Sequence, residues 1–518
     1  MKKLQSQNSK HSFGGGSFYN LLNKDIKELN TVILSLFIII FLFSVGFISY
    51  KITNSYALFS DEVTGVKTIE ATVKLSNLDK SGANEPVLDS SMIPVYYDSN
   101  NNVWKKADIN NHNDKYKWYD YDNKMWANSV TVSSTNRSKY QSANLGTEIP
   151  MNDILTMEVW IPRYKYKVWN YNANGTKTSS PQQIEITFEK DDKNTSEILC
   201  SDSISGTDGK ASETCKLKST NATCTDSLCN NKTYTHPAFT FGNEEIKGFW
   251  IGKFELTGTI SNITTKPNLS SIRNQSVSSF ETNIMNMKNS GNRYGLSTNT
   301  DTHMIKNIEW GAVAYLSHSK YGTCTSGSCT EVGINNNSNY MTGCGANAGS
   351  SSSTTCNSYN TSKGMLASTT GNIYGVYDMS GCSWEYTMSN MIWTDGLTMV
   401  SGNSTTDNSG YTGILYNNGK YGSYTGISYP SVKYYDRYSY GQYLSRIRSK
   451  LGDCVKEMVN NTSNNYGWYS DYSYLTNENN SWSSLGGAYD ASSDAGIFAA
   501  SHYRGSKNDN RSTRLIII

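Results

Sequence analysis

The sequence predicts an α+β chain: an N-terminal transmembrane helix, a small β-rich module, and then a large irregular domain with little regular secondary structure. Three observations predict it. One uncharged apolar run of helix length stands near the start. Short alternating segments bounded by Asn, Asp, Gly and Ser recur after it, the pattern of half-buried strands joined by turns. Helical spacing of apolar residues is confined to two short stretches, near 278–288 and 308–322.

The apolar run is TVILSLFIIIFLFSVGFISY, from Thr31 to Tyr50. Roughly 20 residues, at about 1.5 Å each, span the ~30 Å hydrocarbon core of a bilayer, and a buried soluble helix of that length would need a polar face that this one lacks. Lys2, Lys3, Lys10, Lys24 and Lys27 precede it, against Asp25 and Glu28. That basic flank predicts a cytoplasmic N-terminus, with residues 1–30, polar and bearing a glycine run, as a disordered cytoplasmic tail. The expectation is a single-pass protein of the cell membrane whose bulk lies outside. SYALFSDEV, from Ser55 to Val63, resembles the processing region of exported matrix-fibre and camelysin-like proteins; cleavage near Ala57 would release the protein instead.

Composition narrows the partners. Only 17% of residues are charged and the net charge is +2, so no basic patch is expected and nucleic acid is not a predicted partner. Tyrosine, at 37 residues, offers a large contact area at low entropic cost, which suits recognition. All ten cysteines lie beyond the apolar run. Their spacing suggests local pairs, Cys200 with Cys215, Cys224 with Cys229, Cys324 with Cys329 and Cys344 with Cys356, leaving Cys382 for Cys454. Disulfides are the expected state outside the cytoplasm. Zinc is not expected: the C-x4-C pairs lack knuckle spacing and no His pair follows them.

Along the chain, VKTIEATVKL (Val66–Leu75) alternates as a half-buried strand and opens the β-rich module at 51–150. Ile93–Val130 reads as short strands with Asn/Asp turns; its Trp104, Trp118 and Trp126 are read as packing between strands rather than as an aromatic ligand platform. Ile154–Trp169 and Ile184–Phe188 are further strands, at the start of a domain spanning 151–518. Residues 190–235 carry four cysteines and little apolar content, and read as a disulfide-stapled insertion outside the core. Ser278–Lys288 has a capping-box pattern, Ser278 with Glu281. Ile308–Gly322 is the second helix, with Trp310 on its apolar side.

Five segments then stand in a telling order: GFWIGKFELTG (Gly248–Gly258), NIEWGAVAYLSHSKYG (Asn307–Gly322), YGVYDMSGCSWEY (Tyr374–Tyr386), LGGAY (Leu485–Tyr489) and the closing STRLIII. Together they resemble the formylglycine-generating enzyme, or sulfatase-modifying-factor, family over roughly residues 150–518. Trp310 falls in that family's Trp-bearing helix. Asp378, Met379, Gly381, Trp384 and Glu385 match its D-M-x-G-N-V-W-E-W signature, with Cys382-Ser383 in place of Asn-Val and Tyr386 in place of the last Trp. Gly486 and Gly487 match its R-G-G, with Leu485 for the Arg, and Ser512-Thr513-Arg514 stands where G-F-R is expected. The resemblance implies a C-type-lectin-like fold in which Trp384 is a buried anchor and Glu385 a satisfied carboxylate. It allows a structural calcium ion without assigning ligands; no other cofactor is expected.

The same resemblance argues against catalysis. The family's oxidase chemistry needs two reactive thiolates just after its G-G-S segment, where they bind copper; thiolates are what a soft metal selects. Aligned on Gly486-Gly487, those positions hold Ala491 and Gly496. The six histidines show no H-E-x-x-H spacing, so the chain is not expected to be an enzyme. In the final segment Phe498 and Leu515 should point inward. Asp490, Ser501, His502, Tyr503, Arg504, Lys507, Asp509, Asn510 and Arg511, edged by Trp482 and Tyr489, are expected to form one solvent-facing binding patch. The layout resembles the C-terminal variable region of retroelement-diversified surface proteins. The sequence thus predicts a receptor- or adhesin-like protein for an extracellular protein or glycan. A structural cell-surface or fibre component, or a sulfatase-modifying-factor enzyme with non-standard chemistry, are the alternatives.

Overall fold

Alternating apolar residues in short segments cannot bury one face alone, and they do so here by joining into sheets. The computed structural model describes residues 76–171, 180–204, 211–440, 449–458 and 466–518. The apolar run at 31–50, the segment around Ala57 and the Val66–Leu75 strand lie outside the described residues. Among the described residues no helix is long and apolar enough to cross a membrane. The fold class is corrected accordingly: the described residues are built mostly of sheet, 30% strand against 14% helix, and they do not support an N-terminal transmembrane helix. The strand content comes from β-branched and aromatic residues between Asn- and Gly-rich turns, which take left-handed φ at low strain.

The largest sheet has seven strands in the order Thr302–Met304, Leu515–Ile517, Gly248–Gly252, Ile154–Pro162, Asn128–Val132, Ile93–Asp98 and Val103–Lys106. Every neighbouring pair is antiparallel. Ile154–Pro162 is buried at every position, as its near-continuous apolar run requires. Strands from 93–132 therefore share one sheet with 248–252 and 515–517, and residues 78–518 form one compact unit. The boundary drawn at 150 falls inside that sheet, since Asn128–Val132 pairs with Ile154–Pro162 across it. Trp118 donates to the Asn128 carbonyl (2.7 Å), Trp126 to the Tyr321 carbonyl (2.8 Å) and Trp104 to the Tyr359 hydroxyl (3.1 Å). All three are buried packing residues.

The two expected helices sit close to their expected places, at Val277–Met285 and Asn307–Ser317, and a third, Ser134–Ser142, lies in the segment read as β-rich. The capping box does not form: Ser276 caps the Val277–Met285 helix by accepting from Ser279 N, and Glu281 instead accepts from Met304 N at 2.7 Å. A five-stranded sheet lines up Asp436–Tyr438, Trp384–Met391, Trp482–Leu485 and Ala500–Tyr503, with Arg511–Ser512 pairing Trp384–Glu385. Another carries the hairpin Ile198–Ile204/Ala211–Leu217 beside Thr233–Thr235.

That hairpin corrects the reading of 190–235 as an excursion: Ile198, Cys215, Leu217 and Tyr234 belong to the main core. Cys200 and Cys215 face each other across it and are bonded, as are Cys224–Cys229, Cys324–Cys329 and Cys344–Cys356. Cys382 and Cys454 are buried free thiols, so the fifth expected bond is absent. The reason is their different surroundings: Cys382 lies among Glu255, Asp378 and Glu385, and Cys454 among Asp453, Glu457 and Asp471.

Candidate recognition face and the core beneath it

The five motif segments meet in space. Arg514, fully buried, reaches back to Glu385: its Nε donates to Oε2 at 3.0 Å, its Nη2 donates to Oε1, and its Nη1 donates to the Gly252 carbonyl at 2.9 Å. Asp378 Oδ1 accepts from Asn335 Nδ2 and Gly343 N, both at 2.8 Å, and Glu255 Oε1 accepts from Ser383 N at 2.8 Å. Three buried carboxylates thus share one guanidinium. Burial pushes Glu385 up to about 7 against the pull of Arg514, and burial raises Asp378 and Glu255 as well. Three negative charges around one positive charge are costly in a buried cluster, which favours the protonated carboxyls. Among the described residues, Glu255 Oε2 and Asp378 Oδ2 show no hydrogen-bond partner with good geometry.

Glycine does specific work at the crossing. Gly381 has φ +83°, and a Cβ there would lie 2.3 Å from the Asn335 carbonyl oxygen. Gly486, at φ +89°, lies under the Trp310 indole, whose Cη2 would be 3.0 Å from a Cβ. Trp310 Nε1 donates to the Ile497 carbonyl at 2.8 Å, and Gly381 N donates to the Gly486 carbonyl at 3.0 Å. Met379 is wholly buried, whereas Trp384 is only half-buried, a correction to its expected role as a buried anchor.

The place where a second thiol would be needed is filled. A Cβ on Gly496 would lie 2.0 Å from Asp471 Oδ2. Asp471 is itself buried, and its Oδ2 accepts from Phe498 N at 3.1 Å. Ala491 packs against the small apolar cluster of Ile334, Ala346 and Ala495.

At the surface the expected single patch divides. Trp482 and Arg511 are buried, which removes both as exposed contacts. Trp482 stacks with Tyr429, interplanar angle 3°, and with Tyr411. Arg511 lies 4.0 Å from the Tyr503 ring centroid and donates to Ser484 Oγ at 3.2 Å. His502 Nδ1 donates to the Leu475 carbonyl (3.0 Å), and its ring packs on Tyr474. Arg504 is bound to Asp407. Ser501, His502 and Tyr503, on the strand Ala500–Tyr503, and Arg504 just after it are half-buried.

A different group does come together. Tyr489 meets Tyr340 edge-on, ring centroids 4.7 Å apart. The Arg273 guanidinium lies 3.6 Å from the Tyr340 centroid and donates to the Asp509 carbonyl. All three side chains are half-buried; Asp490, Lys507 and Asp509 are exposed, and Asn510 is half-buried. Tyr340 holds φ +55°, unusual for a bulky side chain and a form of stored strain that clusters at binding sites. It is kept there by Tyr340 N donating to the Asn337 carbonyl (2.9 Å) and by its own carbonyl accepting from Ser271 N (3.0 Å). Burial and the neighbouring Tyr489 push its phenol up to about 12, so it remains a donor at physiological pH. Arg273 and Tyr340 escaped the sequence reading because nothing local distinguishes them from other loop residues.

Among the described residues, two groups bring ligand atoms within metal-binding reach: His318 with Cys324 and Cys329, and Glu213 with Cys200 and Cys215. In each, the two sulfurs are bonded to one another, so neither offers a thiolate. Compared with known proteins, the chain matches no family model and no curated sequence.

Proposed function

We propose that this protein is a non-catalytic recognition protein that works outside the reducing cytoplasm and engages an extracellular protein or glycan through the face formed by Arg273, Tyr340, Tyr489, Asp490 and Asp509. The observation that carries the reading is the Arg273–Tyr340–Tyr489 stack. Arginine and tyrosine dominate binding hot spots, and a guanidinium already laid on an aromatic ring loses little freedom on binding. Flanking acids of the exposed Asp490 and Asp509 supply a polar rim. Four disulfides support an oxidising compartment. The convergence of Glu255, Asp378, Glu385, Arg514, Trp310 and Gly486 in one core supports kinship with the formylglycine-generating-enzyme scaffold. Asp471, standing where a side chain at 496 would go, supports its use without that family's thiol chemistry.

The test is a binding screen of arrayed surface glycans and ectodomains, run with the wild-type chain and with Arg273→Ala/Tyr489→Ala. Both side chains are half-exposed, so the double variant should keep its unfolding midpoint. The reading requires a partner that the wild type holds and the variant releases. A partner retained by the variant at full affinity would refute the assignment of this face.

A further inference from the structure

A cleft that shares no residue with the recognition face opens beside the helix Asn307–Ser317. It has two lobes, of about 440 and 330 Å³, within the range of small-molecule sites. The lobes share Asp202, Thr240, Gly242, Ile308, Asp436 and Lys450.

Four cations line it: Lys306, Lys433, Arg437 and Lys450. Three are engaged. Lys306 Nζ lies 3.2 Å from Glu309 Oε1 and donates to the Lys433 carbonyl at 3.1 Å. Lys433 Nζ is 3.4 Å from Asp301 Oδ2, and Lys450 is paired with Asp202. Arg437 is half-buried and, among the described residues, its side chain makes no hydrogen bond or ion pair. A guanidinium left free in a cleft wall presents a rigid fork of donors that matches a carboxylate two bonds at a time.

The cleft is not a plain anion hole. Asp202, Glu244 and Asp436 line it too, with Glu213 and Glu245 in the second lobe; Asp436 stands next to Arg437, its Oδ2 accepting from Ile308 N at 3.1 Å and Ser389 Oγ at 3.4 Å. Burial pushes this carboxyl up to about 6 against the pull of Lys306 and Lys450, so near neutral pH it is an acceptor that repels compact polyanions. The half-buried Tyr435 and Ile308 give an apolar wall. The floor is held in place from behind. His303 bridges Asp301 (2.9 Å) and Glu309 (3.0 Å), and stacks on Phe241 at 5.0 Å; Lys433 lies 4.4 Å from the centroid of the same Phe241 ring. A site already fixed in shape loses little on binding.

A carboxylate receptor, a hydroxyl acceptor and an apolar wall in one cavity are the complement of an acidic sugar. We propose that this cleft is a second ligand site, which takes a carboxylate-bearing sugar with its carboxylate on Arg437, its hydroxyls on Asp436 and its C–H face on Tyr435.

Calorimetric titration of the full chain with D-glucuronate, D-glucose and inorganic phosphate tests this, using the wild type, Arg437→Gln and Val432→Trp. Val432 is 56% exposed at the cleft, so a Trp there narrows the mouth without disturbing the core. The expected result is saturable glucuronate binding that weakens by roughly tenfold or more in Arg437→Gln and falls in Val432→Trp, with glucose far weaker and both unfolding midpoints unchanged. No saturable glucuronate binding, phosphate binding as tightly as glucuronate, or full affinity in Arg437→Gln would each overturn the proposal.

Discussion

Replacing Arg514 with Met removes the cation paired with the buried carboxylate cluster and keeps most of the side-chain volume. Glu385 loses two charge-assisted hydrogen bonds, and the Gly252 carbonyl loses its donor. Breaking one partner of a buried pair typically destabilises by about 3–5 kcal/mol. Part of that is recovered if Glu385 takes up a proton. Its carboxyl is pushed up to about 7 even with Arg514 present, and without the guanidinium it rises further. A carboxyl whose folded value exceeds its unfolded one favours folding most below the unfolded value, and that contribution is lost as pH rises through the folded value. The deficit of Arg514→Met should therefore be smallest near pH 5 and largest above pH 7. Replacing both partners, Arg514→Met/Glu385→Leu, should restore most of the loss, since an apolar pair of similar volume is often neutral. Urea unfolding followed by tryptophan fluorescence reads all three. A loss below about 1 kcal/mol at pH 8, or a double variant less stable than the single, would refute the reasoning.

His303 is held charged by Asp301 and Glu309. Despite burial, which lowers it, those two carboxylates raise it from 6.5 to about 9, so its stabilisation should be full below pH 6.5 and fade as pH rises through about 9. His303→Gln should flatten that part of the stability–pH curve, and an unchanged curve would count against the charged His303. Gly496→Cys should destabilise severely because of Asp471, whereas Gly496→Cys/Asp471→Ser should recover. Recovery is measured by the same unfolding midpoint, and equal midpoints for wild type and Gly496→Cys would show the site to be open. Alkylation of the unreduced, denatured chain should add two adducts, at Cys382 and Cys454; mass spectrometry finding none would restore the fifth disulfide.

Much of the local structure was legible. Strand-forming runs between Asn/Asp turns located the strands at 93–98 and 154–162, and helical spacing located the helices at 277–285 and 307–317 within a few residues, whereas the helix Ser134–Ser142 had no such signal. Residues 248–258, 378–385, 486–487 and 514 do meet in the core, a convergence that the order of the motifs along the chain did not by itself state. What sequence could not supply was long-range pairing. Nothing near Trp482 announces Tyr411 and Tyr429, so an aromatic expected at the rim of a binding patch is buried between strands. Arg511 looks exposed in a polar run, yet its guanidinium lies on Tyr503. Cys382 and Cys454 were paired by elimination, and only the folded chain shows that each lies in its own acidic surroundings. The Arg273–Tyr340–Tyr489 stack joins three segments that share no pattern.

The most direct test of recognition at this face is hydrogen exchange of the full chain with and without its bound partner. Binding through the Arg273–Tyr340–Tyr489 stack predicts slowed exchange at residues 271–274, 338–341, 489–490 and 507–511. Those segments should lose that protection in Arg273→Ala/Tyr489→Ala. Protection confined to other surfaces, with these four segments exchanging as in the free chain, would contradict it.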